Sequence, residues 1–308
     1  MILVCSEKGG EKLSSKSIGR KIFISINSIV LIVISVICII PIIHVIMSSL
    51  SDPVALSTSR GLVLWPRKLS IEGYREVLKA ASVWKGYAHT LIYVTVQTVL
   101  GVFFTSLGAY VLSRKHLFLR NGAMFLITFT MMFNGGLIPN YLLMSSLGLL
   151  DTIWAVIIPG CITPMNLIIM RTFFQSIPDS LEESAKLDGA GAWTILFRIY
   201  YPLSKASLAV IALFLIVAQW NSYFIAMIYL QDRELWPLQL VLKDLIATAQ
   251  GAAMLSSQSG GGSSGLTVMM TKVVNYAVIV VGTLPIFCIY PFVQKYFVKG
   301  VMIGSIKG

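Results

Sequence analysis

The sequence is short of charge. Only 12% of its 308 residues are Asp, Glu, Lys or Arg, whereas 56% are hydrophobic. A typical soluble domain carries about 25% charged residues. Together with a mean hydropathy of +0.82, this deficit argues against a soluble globule, and so apolar a composition excludes a disordered chain. Acidic residues are fewer than basic ones, 13 against 24. In so apolar a chain this excess of basic residues is typical of basic cytoplasmic loops, and we expect no nucleic-acid partner.

The groupings that build common active sites are also missing. The four cysteines form no C-x-x-C pair, and no two histidines are spaced to aim at one metal. No phosphate-binding G-x-x-x-x-G-K-[ST] motif occurs. A G-x-S-x-G match at residues 261–265 lies in a Gly/Ser tract, not between a strand and a helix. We therefore predict no metal site, no cofactor bound by this chain and no enzymatic activity of its own.

Long runs without charge are what the sequence has instead. A helix needs about 20 apolar residues to cross the hydrocarbon core, and six runs meet this requirement. The sequence therefore predicts an all-α integral membrane protein. The predicted spans are residues 22–47, 89–112, 121–143, 152–171, 206–230 and 273–295. In the third run, Asn134-Gly135-Gly136 and Pro139 predict that the helix ends near Phe133 and that a re-entrant or surface loop follows.

The distribution of Lys and Arg predicts the orientation. With the N-terminus inside, the inner segments carry fifteen basic residues and the outer segments nine, so both termini, 1–21 and 299–308, are predicted to be cytoplasmic. The outer segment 48–85 shows a helical apolar pattern from Ile71 to Trp84, which fits either a helix on the membrane surface or one packed on the helix ends. The outer segment 231–272 contains a Gly/Ser tract, and its charge-free part, residues 245–271, is predicted to be a flexible loop.

The cytoplasmic segment 176–203 has an unusual pattern. Pro178 followed by three acidic residues predicts a helix start, because negative charge favours the positive end of the helix dipole. Gly189 is suited to ending this helix near Leu187. A second short amphipathic helix follows, and Pro202 is expected to break the chain before the fifth span. Two short helices at one turn predict a rigid knob, which we call the knob (residues 176–203).

The knob resembles the E-A-A-x-x-x-G loop of type-1 permease subunits of ATP-binding-cassette importers. Glu183-Ser184-Ala185 is followed after two residues by Asp188-Gly189-Ala190, and Pro202 comes twelve residues later. Ser184 replaces the usual Ala. The resemblance extends over roughly 70–298, with 86–298 as the type-1 transmembrane domain, and Phe133 to Pro139 and Trp220-Asn221 are similar to the carbohydrate-uptake branch.

This resemblance implies a permease subunit that forms half of a pathway with a homologous second permease. It implies two nucleotide-binding ATPase subunits that hold ATP and Mg, an extracellular solute-binding protein, and a multi-pass location in the lipid of the bacterial plasma membrane. Glu183 is expected to pair with an Arg of the ATPase, Ala185 to allow close approach and Gly189 to set the turn; alternatively, the acids only cap helices. The implied coupling residues are Glu182, Glu183, Ser184, Ala185, Asp188, Gly189, Ala190 and Pro202.

A sugar path needs aromatic faces and amide groups, because buried hydroxyls require hydrogen-bond partners. The candidates are Gln219, Trp220, Asn221, Tyr223 and Asn166, although Trp220 and Tyr223 also fit an interfacial aromatic belt. By resemblance, the outer tract with Ser259, Gly260, Gly261 and Gly262 reaches into the binding protein; a plain linker is the alternative. The function expected is import of a carbohydrate, with a peptide or phosphate permease, or an intramembrane enzyme, as the alternatives.

Overall fold

The computed structural model describes residues 18–59, 61–115, 117–258 and 264–305, and within these ranges the regular elements are helices. A π-helical segment (Leu196–Tyr200) and a 3-10 turn (Arg233–Leu235) accompany the α-helices. The α-helices are α1 (Ile18–Ser49), α2 (Pro53–Thr58), α3 (Glu72–Lys79), α4 (Ala81–Ser113), α5 (Arg120–Met132), α6 (Leu137–Ser146), α7 (Ile153–Cys161), α8 (Pro164–Gln175), α9 (Asp179–Leu187), α10 (Ala192–Ile195), α11 (Tyr201–Leu203), α12 (Lys205–Trp220), α13 (Phe224–Tyr229), α14 (Leu238–Gln258) and α15 (Ser264–Ser305).

The described helices include three that are long and apolar enough to span a bilayer, namely α1, α4 and α15. The number rises to six if each of three bent pairs counts as one span: α5 with α6 at 115°, α7 with α8 at 44°, and the α10–α11 segment with α12 at 86°. The membrane-helix class is therefore confirmed. The most apolar stretch of helix α1 buries no residue against the rest of the chain, so its surface is available to lipid or another subunit, whereas the C-terminal end of α1 is packed through residues such as Ser48 and Ser49.

Two spans that the sequence predicted as continuous helices are broken. Residues 152–171 divide into α7 and α8, because Pro164 has no backbone N–H to continue the helix and instead starts α8. Residues 206–230 divide after Trp220, where the Asn221 side-chain amide bonds the Val217 carbonyl at 2.8 Å. Such local bonds compete with the helical ladder. The predicted end near Phe133 is confirmed, since α5 ends at Met132 and Gly136 adopts a φ of +91°.

Helix α4 lies at the centre of the packing. Its 33 residues give a length of about 50 Å. Its C-terminal part contributes Ala109, Tyr110 and Leu112 to one buried cluster, with α8, α12 and the knob. Its N-terminal part contributes Val83 and Val94 to a second cluster, with α12, α14 and α15. One continuous helix thus joins the packing around the knob to the packing around α14.

The two predicted outer segments differ from expectation. The apolar pattern from Ile71 to Trp84 is not one helix, because α3 ends at Lys79 and Trp84 belongs to α4. Helix α3 packs on α15 through its Gly73 face: a Cβ at Gly73 would lie 2.7 Å from the Val273 side chain. The prediction of a flexible loop over 245–271 is wrong for the described residues, since 245–258 and 264–271 are helical. Apolar residues of α14 pack on α4 and α15 and stabilise this helix despite its Gln, Ser and Gly residues.

Candidate functional site

The first helix of the knob has the predicted boundaries. Pro178 precedes α9, Asp179 and Glu182 lie in its first turn, and it ends at Leu187. Gly189 adopts a φ of +78°, a conformation that costs glycine little and other residues more. The Gly189 N–H donates to the Lys186 carbonyl at 3.0 Å, and the Ala190 N–H donates to the Ala185 carbonyl at 2.9 Å. The turn after α9 therefore depends on this glycine.

Glu182 is buried, with only 8% of its surface exposed, and its carboxylate has three partners. It forms an ion pair with Arg114 at the end of α4. It lies 2.6 Å from the Lys186 ammonium and accepts a hydrogen bond from the Tyr200 hydroxyl at 2.9 Å. Arg114 also donates to the Tyr110 hydroxyl and lies 4.2 Å from the Tyr110 ring centroid. Glu182 therefore joins both helices of the knob to α4.

A cavity of about 420 Å³ lies beside this ion pair. It is lined by the ends of α4 and α8, the start of α5 and one face of α9. Lys115 and Asp179 form a second ion pair at its margin, at 2.6 Å, but both side chains are well exposed. Because exposed pairs contribute little, the buried Glu182–Arg114 pair is the stronger link between the knob and α4.

The outward surface of the knob has a different character. Glu183, which also lines the cavity, is exposed there together with Ser184 and Asp188. Within the described chain, neither of the two acids makes an ion pair or a side-chain hydrogen bond. Leu187 is 90% exposed and Trp193 60% exposed. We call these five residues the knob surface. It combines unpaired negative charge with large exposed apolar groups, which is typical of a surface that binds another protein.

The second helix of the knob is packed from within. Ile195, Leu196 and Tyr200 are buried in the cluster with α4, α8 and α12, and Ala185 and Ala190 pack against it. The chain bends by 86° just before the fifth span, as predicted, but at Ser204 and not at Pro202, because the helix continues to Leu203. The preceding turn is π-helical, with the Tyr201 N–H donating to the Leu196 carbonyl. This wider turn accommodates a proline ring that would clash in an α-helix.

The five candidate path residues are not brought to one surface. Gln219 and Trp220 are buried, and the Trp220 indole N–H donates to the Gly282 carbonyl at 2.9 Å. Asn166 is also buried, on α8. Asn221 and Tyr223 are exposed at the break between α12 and α13. Trp220 is thus a core residue that fixes α12 to α15, and neither a sugar-stacking nor a belt position describes it.

The four residues assigned to binding-protein contact, Ser259, Gly260, Gly261 and Gly262, lie outside the described residues. Around them, α14 ends at Gln258 and α15 begins at Ser264. Arg114 was not a predicted site residue, although its position as the first charge after a long apolar run was a visible signal. Lys243 on α14 was not one either, because that segment was expected to be a loop.

Comparison with known proteins decides the family. Residues 97–303 match the family described as binding-protein-dependent transport system inner membrane component. The chain belongs to this family. The family places the chain in the inner membrane and makes it a transport subunit, not an enzyme. The predicted type-1 importer fold is thereby confirmed.

Three related proteins are informative. The polygalacturonan/rhamnogalacturonan transport system permease protein YtcP of Bacillus subtilis is 42% identical over 87% of this chain and 92% of its own length. Protein LplC of the same organism is 39% identical over 87% and 89%. A crystal structure of a bacterial ABC transporter involved in the import of the acidic polysaccharide alginate matches with a TM-score of 0.79 and 34% identity, over 91% of this chain and 98% of that one. These relatives confirm the resemblance to carbohydrate-uptake permeases.

Proposed function

We propose that this chain forms half of the membrane pathway of an ATP-driven importer for acidic oligosaccharides. Two of the related proteins are named for polymers of uronic acids, polygalacturonan and alginate. Fragments of such polymers carry a carboxylate on most sugar rings. They cannot cross lipid unaided, because desolvating an ionised group is costly.

The proposed coupling to ATP rests on one observation: two adjacent acids of the knob have opposite environments. Glu182 is buried against Arg114 and fixes the knob to α4, whereas Glu183 is exposed and unpaired on the knob surface. Glu182, paired within the chain, transmits force between the knob and α4. Glu183 is free to pair with a cation of another subunit.

We propose the other partners from the family to which the chain belongs. Two separate ATPase subunits bind ATP and its Mg²⁺, and one of them receives the knob surface. A second, homologous permease completes the pathway as a heterodimer, since six crossings form only one wall. An extracellular solute-binding protein delivers the sugar, and lipid surrounds the apolar outer faces.

The test of this function is uptake by cells that lack the chain and are then complemented with it. Labelled trigalacturonate, maltotriose, a neutral tripeptide and inorganic phosphate are the probes. We expect restored, ATP-dependent uptake of trigalacturonate. Restoration of tripeptide or phosphate uptake instead would overturn the substrate class, and restoration of maltotriose uptake alone would leave a sugar importer without the preference for acidic sugars.

A further inference from the structure

Lys243 is an exposed cation whose charge is not neutralised within the described chain. Its ammonium lies 4.3 Å from the centroid of the Tyr223 ring and 3.4 Å from the Met227 sulfur. Neither group carries a negative charge. Tyr223 is 39% exposed and Met227 43% exposed, so the three side chains form an open surface between α13 and α14.

Two other cations on the same predicted outer side, Lys85 and Arg233, are paired with acids. Lys85 donates to Glu234 and holds the pKa of that carboxyl below its ordinary value. Arg233 lies 5.0 Å from the Trp236 ring centroid and 3.7 Å from the Asp244 carboxylate. Lys243 has an aromatic neighbour, as Arg233 does, but no carboxylate. Unlike these two cations, Lys243 is available to an anion from outside the chain.

The neighbourhood of Lys243 also suits a sugar. Asn221, two residues before Tyr223, is exposed and donates its side-chain N–H to the Val217 carbonyl; its amide oxygen accepts no hydrogen bond within the described chain. A uronate residue presents an apolar face, hydroxyl donors and one carboxylate. These features match an aromatic ring, an amide oxygen and an ammonium group respectively.

We propose that Tyr223 and Lys243 form a subsite for one uronate ring of the substrate, with Asn221 beside it. Lys243 pairs with the ring carboxylate while Tyr223 contacts the apolar face. An exposed cation–π contact is weak, so the ammonium is readily transferred from the Tyr223 ring to a carboxylate. The inference rests on the proposed function and names the residues that select an acidic sugar.

The test compares two substrates that differ only in charge: trigalacturonate and its fully methyl-esterified form. Uptake is measured in cells that carry the complete importer. For Lys243→Met, we expect the KM for trigalacturonate to rise about tenfold, because the variant loses one charge-assisted interaction with the substrate. Uptake of the ester should not change, and Lys243→Arg should keep most of the wild-type preference.

Two further variants act as controls. Arg233→Gln removes a cation that already has an acid and should leave the preference for the acid over the ester unchanged. Tyr223→Ala should reduce uptake of both substrates, and Tyr223→Phe should not. The amount of each variant in the membrane is measured by immunoblot.

The possible failures are distinguishable. If the wild type takes up neither substrate, the uronate assignment in the proposed function is wrong and the subsite falls with it. If the wild type takes up trigalacturonate but Lys243→Met does so with an unchanged KM, only the subsite is refuted. Equal loss of acid and ester in Lys243→Met would assign the lysine to the fold or to lipid phosphate, and would also refute the subsite.

Discussion

Glu182 and Glu183 offer the sharpest test of how the knob works, because replacing either glutamate by glutamine should affect a different property of the protein. Glu182→Gln keeps the size of the side chain but removes the charge that pairs with Arg114 and Lys186. Glu183→Gln removes a charge with no partner in the described chain. We expect the first to loosen the knob from α4 and the second to weaken only the contact with an ATPase subunit.

The magnitude follows from burial. The side chains of Glu182 and Arg114 are 10% and 25% exposed. Removing one member of a fully buried pair costs about 3–5 kcal/mol. Lys186 is 57% exposed and the cavity beside the pair admits water, so we expect roughly 2 kcal/mol for Glu182→Gln. Because Glu183 is exposed, its replacement should change the free energy of unfolding by less than about 0.5 kcal/mol.

The assays are thermal unfolding of the purified permease, co-purification of the ATPase subunit and uptake of trigalacturonate. Glu182→Gln should lower the unfolding temperature and uptake while ATPase co-purification persists. Glu183→Gln should leave the unfolding temperature unchanged and reduce co-purification. A double-mutant cycle of Glu182→Gln with Arg114→Met should give a coupling of about 1–3 kcal/mol. Additive effects, or equal unfolding temperatures for the two Gln variants, would refute the assignment.

Three other predictions concern backbone geometry and one buried hydrogen bond. Gly189→Val should abolish uptake while the protein remains in the membrane, because β-branched residues are strained at a φ of +78°. The control is Gly191→Asp, at a φ of −74° in an N-cap position, which should transport normally. Equal effects of the two substitutions would argue against the backbone explanation. Gly101→Ala should lower the unfolding temperature, since a Cβ would lie 2.7 Å from a backbone oxygen of α7, whereas Gly122→Ala, in open space on α5, should raise it slightly. Trp220→Phe should destabilise the protein by about 1–3 kcal/mol, because a backbone carbonyl of α15 loses its buried indole donor, and an unchanged unfolding temperature would contradict this role.

The sequence predicted those features of the fold that depend on local chemistry. The boundaries of α9 follow from Pro178, the acidic first turn and Gly189, all of which act within a few residues. The end of α5 follows in the same way from Asn134-Gly135-Gly136. Pro164 was an equally visible signal and should have divided the fourth span, but the apolar run around it was interpreted as one helix.

Other features depend on contacts that a single sequence does not contain. Glu182 and Glu183 are indistinguishable by composition, and only the position of Arg114 decides which of them is buried. Trp220 was an apparent sugar-stacking residue until its indole N–H was found bonded to Gly282. The Gln, Ser and Gly residues of α14 suggested a loop, but its apolar residues pack against α4 and α15 in a helix. In each case a distant segment of the chain determines the role.

The same packing offers a physical route from the knob to the proposed uronate subsite. Arg114 holds the knob at one end of α4. At the other end, the hydroxyl of Thr90 accepts the Leu238 N–H at 2.8 Å and so ties α14 to α4. Because close-packed helices shift as units and do not deform smoothly, a displacement of the knob would carry α4 and α14 together. Lys243 lies on α14 only five residues after Leu238, so it would move together with α14. If α13 stayed in place, the distance between Lys243 and the residues of α13 would change. Movement of this kind would separate Lys243 from Tyr223 and release the uronate ring proposed to bind between them.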